Sequence, residues 1–565
     1  MKFTTDHPSG AARLWHVLPP ARWLAPYRSE WLRGDVVAGI TLAAYAIPVS
    51  LAYAGLAGLP PESGIYGYLL GGLGYALLGT SRQLAIGPTS AISLMIAGTV
   101  GAMADGDMQR YAQIASLAGF TVGVLCVIAW LFRLSMLVRL ISDSILVGFK
   151  AGAGLTIAMT QLPSLLGVAG GGHNFFERAV LLTAQLGQVH YLVFAIGIIA
   201  IVLLLLGERM LPGLPIALGV VILSIIAATL LGLPALGVAT TGAIPAGLPN
   251  LQGPALRLRD VEGIVPLAAG CLLLAYIESV SAARTFAAKH GYVLDARQEF
   301  LGIGAANFAA ALGHGYPVAG GLSQSAVNDK AGAHTPLALV FASITLALCL
   351  LFFTGLLENL PKAVLAAVVL TAVYGLVDFP ALLRMWRISR IDFYAAATAL
   401  VAVLLLGILQ GILLAALASV LMLLARASRP HVAFLGRIPG TSQYSDMARH
   451  PENEAIPGVI AFRPEASLIY VNADAVLEVV LSRLAGQPDI RLVICDLSAS
   501  PYVDLAGSRK LHELHSELAV RGTALRIIEA RGRVRDLLRA DGIDDKVRGL
   551  DHTATLDSLL RTNGV

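Results

Sequence analysis

Polar chemistry enters this apolar chain at two short stretches of matching design. In the run Gly315–Asn328, three glycines and Pro317 are followed by Ser323, Gln324, Ser325 and Asn328. The glycines and the proline interrupt regular helix, and the polar groups behind them would be costly in lipid without partners or a guest. The run Gln83–Ser93 has the same make-up, with Gly87 and Pro88 ahead of Thr89, Ser90 and Ser93. Both continue directly into apolar sequence. A helix that starts part-way through a bilayer presents unpaired N–H groups and the positive end of its dipole, which is the chemistry of an anion site. One such broken segment in each half of the chain is the pattern of an inverted-repeat carrier whose substrate binds near the bilayer midplane. The plainer alternative is a pair of polar loops between helices.

Glu278 supplies a different chemistry. It sits in the run Leu272–Val280 as the only obvious carboxylate deep within an apolar segment. An acid inside a membrane is a candidate for ion coupling, because taking up a proton neutralises it for a conformational change. Sodium would require several more oxygens; Ser281 offers one and Ala282, a full turn on, offers none. The expected coupling ion is therefore the proton ahead of sodium. The competing role for Glu278 is a structural ion pair with Arg284 or Lys289. No nucleophile–base set, metal cluster or phosphate loop is evident, which argues against an enzyme, and no cofactor or nucleic-acid partner is expected.

The elements that must position these residues are read from hydropathy. The chain is 56% hydrophobic and 13% charged, where a soluble domain carries about a quarter charged residues. With a mean hydropathy of +0.73 it is a polytopic membrane protein. The net charge of +4 says little, and Cys126, Cys271, Cys349 and Cys495 lie in apolar runs without paired spacing, as small core residues. Residues 1–34 lack the layout of a cleaved signal peptide. With their tryptophans and arginines they suit a segment at the cytoplasmic membrane surface.

Fourteen apolar segments follow between residues 35 and 426, at about 36–54, 64–79, 87–101, 112–132, 141–160, 190–207, 214–231, 264–283, 297–313, 321–333, 336–356, 361–377, 392–408 and 410–426. Several are too short to cross about 30 Å alone, as broken helices would be. Loops after even-numbered segments carry Arg82, Arg133 and Arg139, Arg209, Arg284 with Lys289 and Arg297, Lys330, and Arg384 with Arg387 and Arg390. That bias places both termini inside. Fourteen divides into seven plus seven, as two repeats of opposite topology require. Residues 427–455 are expected to be a linker. Residues 456–565 are expected to form a small soluble α/β domain, with strands at Val459–Phe462, Leu468–Val471, Leu492–Asp496 and Ala524–Ile528 and helices at Ala473–Ala485, Leu505–Arg521 and Val534–Ala540.

Several of these runs resemble the SulP anion transporters, the sulfate permease family that includes prestin. The resemblance lies in Asp35–Thr41, Ile47-Pro48 and Leu51–Pro61 of the first segment. It continues through Tyr75–Arg82, Ile86–Pro88 and Glu278–Ser281, then Pro317–Gly320, Ser323, Ser325–Asn328 and Ala333–Pro336. The run Leu492–Asp504 with Gly507 resembles the STAS domain that these transporters carry. The likeness covers nearly the whole chain in order. It implies fourteen transmembrane segments as a 7+7 inverted repeat with core and gate domains, usually dimeric, and an elevator-type movement of the core. It places the anion between the N-termini of the third segment (Thr89, Ser90, Ala91) and the tenth (Gly321, Leu322, Ser323, Gln324), with Tyr53 lining it. Each hydroxyl has a local alternative: Thr89 and Ser323 as caps of their own helices, Tyr53 as plain packing.

Three departures from the family pattern matter. Val49 replaces a common Gln, and Gln324 replaces a common Arg whose charge would offset a divalent anion. Ala506 occupies the usual phosphoacceptor position of the STAS loop, so that switch is expected to be absent, with Ser508 a helix-start residue. The expected function is secondary active import of an oxyanion across the plasma membrane by proton-coupled symport. Sulfate is the family default, with bicarbonate or a dicarboxylate as rivals. A passive channel or exchanger, and a membrane-anchored scaffold whose STAS domain binds a regulatory partner, are the alternatives.

Overall fold

A computed structural model describes residues 23–24, 27–104, 106–134, 142–172, 174–211, 215–254, 260–487, 489–547, 550 and 554–562. Most of the N-terminal segment expected over residues 1–34, and Arg139, lie outside the described residues. The chain divides into two compact units, Met1–Ser419 and Val420–Val565.

Between Ser29 and Ser428 every expected apolar segment contains a helix, the last of them crossing the boundary between the units. In order they are α1 (Ser29–Leu56), α2 (Pro61–Leu78), α3 (Ser90–Met103), α4 (Met108–Leu131), α5 (Asp143–Leu166), α6 (Phe175–Gln185), α7 (Tyr191–Met210) and α8 (Ile216–Leu230). Then come α9 (Val261–His290), α10 (Gln298–Leu312), α11 (Leu322–Lys330), α12 (Leu337–Phe352), α13 (Lys362–Tyr374), α14 (Phe379–Ile388), α15 (Arg390–Leu406) and α16 (Ile408–Ser428). Seven stretches among the described residues are long and apolar enough to cross a bilayer alone. Two helices were not foreseen, α6 and α14. Both are short and amphipathic, so a reading based on apolar runs passes over them.

The helices pack as two groups. In one, α1, α2, α4, α9, α10, α11 and α12 lie against one another; in the other, α5, α7, α13, α14 and α15 do. Small residues let the backbones close. A Cβ on Gly64 would sit 2.1 Å from Ser50 O across α1 and α2. Within lipid, where burying apolar surface gains little, such close contact is what drives helix association.

Glu278 is not the only carboxylate inside the helical unit. Asp35 and Glu299 are both 0% exposed. Asp35 accepts from Tyr27 Oη (3.2 Å), His334 N (2.7 Å), Thr335 N (3.0 Å) and Thr335 Oγ1 (2.7 Å). Glu299 accepts from Tyr75 Oη (2.8 Å) and Thr80 N (2.9 Å), and from the Thr80 hydroxyl. Asp35 lies one residue before the apolar segment expected at 36–54 and Glu299 near the start of the one expected at 297–313, so neither reads from hydropathy as a carboxylate deep within a segment.

The second unit is a five-stranded sheet in the order β4-β3-β5-β6-β7, from β3 (Val432–Arg437), β4 (Tyr444–Asp446), β5 (Val459–Pro464), β6 (Leu492–Asp496) and β7 (Ala524–Ile528). Helices α17 (Ala473–Ala485), α18 (Leu505–Val520) and α19 (Gly532–Ala540) alternate with the later strands. The expected linker over 427–455 is corrected: it carries β3 and β4, and β3 pairs antiparallel with β5 from Val432–Pro464 to Leu435–Ala461. Its polar residues belong to the hairpin turn, where Gly440 takes a positive φ of 75°. The strand expected at Leu468–Val471 is reduced to one bridge between Leu468 and Val503.

Candidate functional site

The centre of the first unit is a crossing of two broken segments. Strand β1 (Ile86–Gly87) pairs antiparallel with β2 (Ala319–Gly320), Ile86 opposite Gly320 and Gly87 opposite Ala319. Each strand runs straight into a helix, β1 into α3 and β2 into α11, so antiparallel pairing brings the two helix N-termini together from opposite directions.

Buried side chains hold this crossing. Asn307 donates from Nδ2 to Val318 O and accepts from Val318 N, both at 3.0 Å. Ser279 Oγ accepts from Gly320 N at 2.7 Å, and Ser325 Oγ from Ala85 N at 2.9 Å. Gln324, 4% exposed, donates from Nε2 to Ala85 O (2.9 Å) and Ala319 O (3.0 Å). Both amide hydrogens of Gln324 are thus spent on the scaffold. The substitution of a common arginine by glutamine exchanges a fixed charge for a crosslink between the two strands.

What the crossing leaves open is a row of donors. Ser93 N bonds to Thr89 O and Ser325 N to Gly321 O, so each helix begins its own ladder there. The N–H groups of Ser90, Ala91 and Ile92, and of Leu322, Ser323 and Gln324, have no acceptor among the described residues. Thr89 and Gly321 are the N-cap residues, and neither contributes a side-chain cap. The Thr89 hydroxyl is buried and faces Glu278, yet makes no hydrogen bond of ordinary geometry. Capping therefore does not explain it, and a buried hydroxyl without a partner is costly.

These groups surround a cavity of about 220 Å³. Of the residues singled out in the sequence, Tyr53, Thr89, Ser90, Glu278, Gly321, Leu322, Ser323 and Gln324 all line it. Ala91 does not: its side chain is buried behind the lining and only its backbone N–H remains a candidate. Tyr53 interacts with Ser90. Lysine 289 does not serve Glu278; with His290 it pairs with Asp329.

The residue that sequence reasoning missed is Lys150. It lines the cavity from α5 and is the cation that acts on Glu278. Its own segment shows only a lysine about two turns into an apolar helix, and no spacing rule connects it to a carboxylate far along the chain. Tyr53, Thr89, Glu278 and Ser323 belong to the first helix group and its broken segments. Lys150, Ala372, Gly375 and Leu376 belong to the second, so the cavity lies between the groups.

Comparison with known proteins agrees with this architecture. Residues 32–399 match the family model described as the sulfate permease family, and residues 450–557 match the STAS domain. A probable sulfate transporter of Mycobacterium tuberculosis is 35% identical over 527 residues, covering 93% of this chain and 94% of that protein. The chloroplastic sulfate transporter 4.1 of Arabidopsis thaliana is 31% identical, over 90% of this chain and 77% of its own length. Among solved structures, the murine Solute Carrier 26 family member A9 anion transporter in its inward-facing state has the same fold, with a TM-score of 0.88 at 20% identity over 100% of this chain and 97% of that one. The transmembrane domain of a cyanobacterium bicarbonate transporter aligns over 70% of this chain and 98% of its own, with a TM-score of 0.60 at 21% identity.

Proposed function

This chain belongs to the sulfate permease family, and from that premise we propose that it imports a small oxyanion by proton-coupled symport. One observation carries the reading: two helix N-termini meet at one cavity, with unpaired N–H groups and an unpartnered Thr89 hydroxyl around it. An anion leaving water needs several donors at once, and this arrangement supplies them. Ser323 and Tyr53 add hydroxyls at the rim.

Charge supplies the coupling. Lys150 and Glu278 are the charged side chains among the lining residues. With Glu278 ionised they balance; with Glu278 protonated the lining carries one net positive charge and holds an anion better. A proton and an anion then load together, while sodium finds too few oxygens at Glu278, Thr89 and Ser281.

Sulfate is the first substrate to test, since the two relatives cited above, both over 30% identical to this chain, are described as a probable sulfate transporter and a sulfate transporter. The missing arginine at position 324 keeps bicarbonate and dicarboxylates close behind. Because the cavity has one wall on each helix group, displacement of the first group past the second, an elevator-type step, would carry the anion across. We place the chain in a plasma membrane as fourteen segments in two inverted halves, and the charge of its loops favours both termini on the cytoplasmic side. A homodimer and a regulatory partner of the STAS unit complete the proposal.

Proteoliposome uptake of labelled sulfate, bicarbonate, succinate and chloride, with and without an inward proton gradient and with a sodium gradient as control, tests it. Proton-stimulated uptake of one anion is expected. Uptake indifferent to both gradients would favour the passive channel or exchanger, with Lys150–Glu278 a structural pair. No uptake of any anion would favour a membrane-anchored scaffold.

A further inference from the structure

A second cavity, of about 610 Å³, lies toward the C-terminal end of α1. It is displaced along the same helices as the first. On α3 it is lined by Leu94 and Ala97 in place of Thr89 and Ser90, and on α5 by Met159–Gln161 and Ser164 in place of Lys150. On α13 Leu365 and Ala366 replace Ala372. Four residues from Ser90 to Leu94 amount to about 6 Å of helix. The two cavities therefore lie in series, separated on α3 by roughly one turn.

Among its described lining residues the second cavity has two cations, Arg178 and Lys362, and no carboxylate. Arg178 Nε donates to Gly172 O at 3.1 Å, which fixes the guanidinium plane. Its Nη groups and Lys362 Nζ have no partner among the described residues. Glu177, the acid that acts on Arg178, also accepts from Asn174 Nδ2 at 2.9 Å. Lys362 is held at the start of α13, where Lys362 N donates to Ala239 O and Thr241 N to Leu360 O, both at 2.9 Å. Both cations stand on or beside the second helix group, and Thr160, Gln161, Ser164 and Thr241 add polar atoms between them.

We propose that this cavity is an anion-recruiting vestibule, in which Arg178 and Lys362 concentrate small inorganic or carboxylate anions on the path to the Thr89–Ser323 site. The inference rests on the transport reading above. A water-filled cavity lined by charge of one sign raises the local concentration of the opposite ion, and salt weakens the effect.

Ser164 offers a reporter: it is exposed in the cavity wall and makes no hydrogen bond among the described residues, while the four native cysteines are buried. In the full chain carrying Ser164→Cys, the rates of modification by an anionic sulfonatoethyl and a cationic trimethylammonioethyl methanethiosulfonate are compared. Adding Arg178→Gln and Lys362→Gln is expected to lower the anionic-to-cationic rate ratio about tenfold at low ionic strength, with the difference shrinking in high salt. The charge-preserving pair Arg178→Lys and Lys362→Arg should keep the original ratio, which separates loss of charge from loss of fold. In parallel, Arg178→Gln/Lys362→Gln is expected to raise KM for the transported anion several-fold at low salt with kcat unchanged. A rate ratio insensitive to both cations, or an unchanged KM, overturns the proposal. A rate ratio that responds in a protein that transports no anion keeps the anion-concentrating cavity and overturns the transport reading.

Discussion

Replacing Thr89 with valine removes a hydroxyl and adds a methyl of nearly the same size. The backbone there is extended, φ −124° and ψ 151°, so a β-branched residue fits without strain. Because the Thr89 hydroxyl is buried beside Glu278 without a hydrogen bond of ordinary geometry, the substitution removes no well-formed bond in the empty protein. An unsatisfied buried hydroxyl costs about 1–3 kcal/mol, so thermal stability should hold or rise. Binding should move the other way. A hydrogen bond to a charged group is worth about 1.5–3 kcal/mol, which at about 1.4 kcal/mol per factor of ten is a roughly ten- to hundredfold loss of anion affinity. The assay pairs thermal unfolding in detergent with the concentration dependence of labelled anion uptake in proteoliposomes. Opposite signs for stability and affinity are expected. A variant that loses stability while KM stays put would show the hydroxyl to be structural and refute the reasoning.

The other predictions concern single groups of the same two units. Glu278→Gln should abolish stimulation by an inward proton gradient while leaving uptake down the anion's own gradient; persistent stimulation sinks the coupling role. Gln324→Leu strips the amide from Ala85 O and Ala319 O, and at about 1–3 kcal/mol for each unpaired buried carbonyl it should lower the unfolding temperature measurably. An unchanged temperature would mean that the strand crossing does not depend on this amide. In the second unit, Asp446 accepts from His431 Nε2 at 2.7 Å and Ala448 N at 3.0 Å. Burial pushes its carboxyl up, but these bonds outweigh burial and hold it below the usual aspartate range. Its contribution is complete above the unfolded pKa of about 3.9 and is lost as pH falls through the lower folded value. Protease sensitivity of the Val432–Asp446 hairpin should therefore rise as pH falls below about 4. Asp446→Asn should make the hairpin more sensitive at neutral pH and flatten that rise, whereas an unaltered profile would exclude the pair.

Much of this molecule is determined by sequence alone. Composition requires a membrane protein, because a chain with so few charges cannot solvate its surface in water. The helical segments follow from apolar runs bounded by charge, and the strands Leu492–Asp496 and Ala524–Ile528 from short apolar runs bounded by turns. The broken segments are legible too, since glycine and proline ahead of hydroxyls are a local signal that needs no knowledge of the rest of the chain. Tertiary structure decides what those signals are worth. Only the antiparallel pairing of Ile86–Gly87 with Ala319–Gly320 brings the two helix starts to one cavity. Only packing shows that Gln324 is spent on the backbone, that Thr89 is not a cap, and that Ala91 stands behind the wall. Lys150 is the clearest case. Its meaning arises where α5 of one helix group and α9 of the other line one cavity, and charges brought together by packing between groups leave no periodicity in the chain between them.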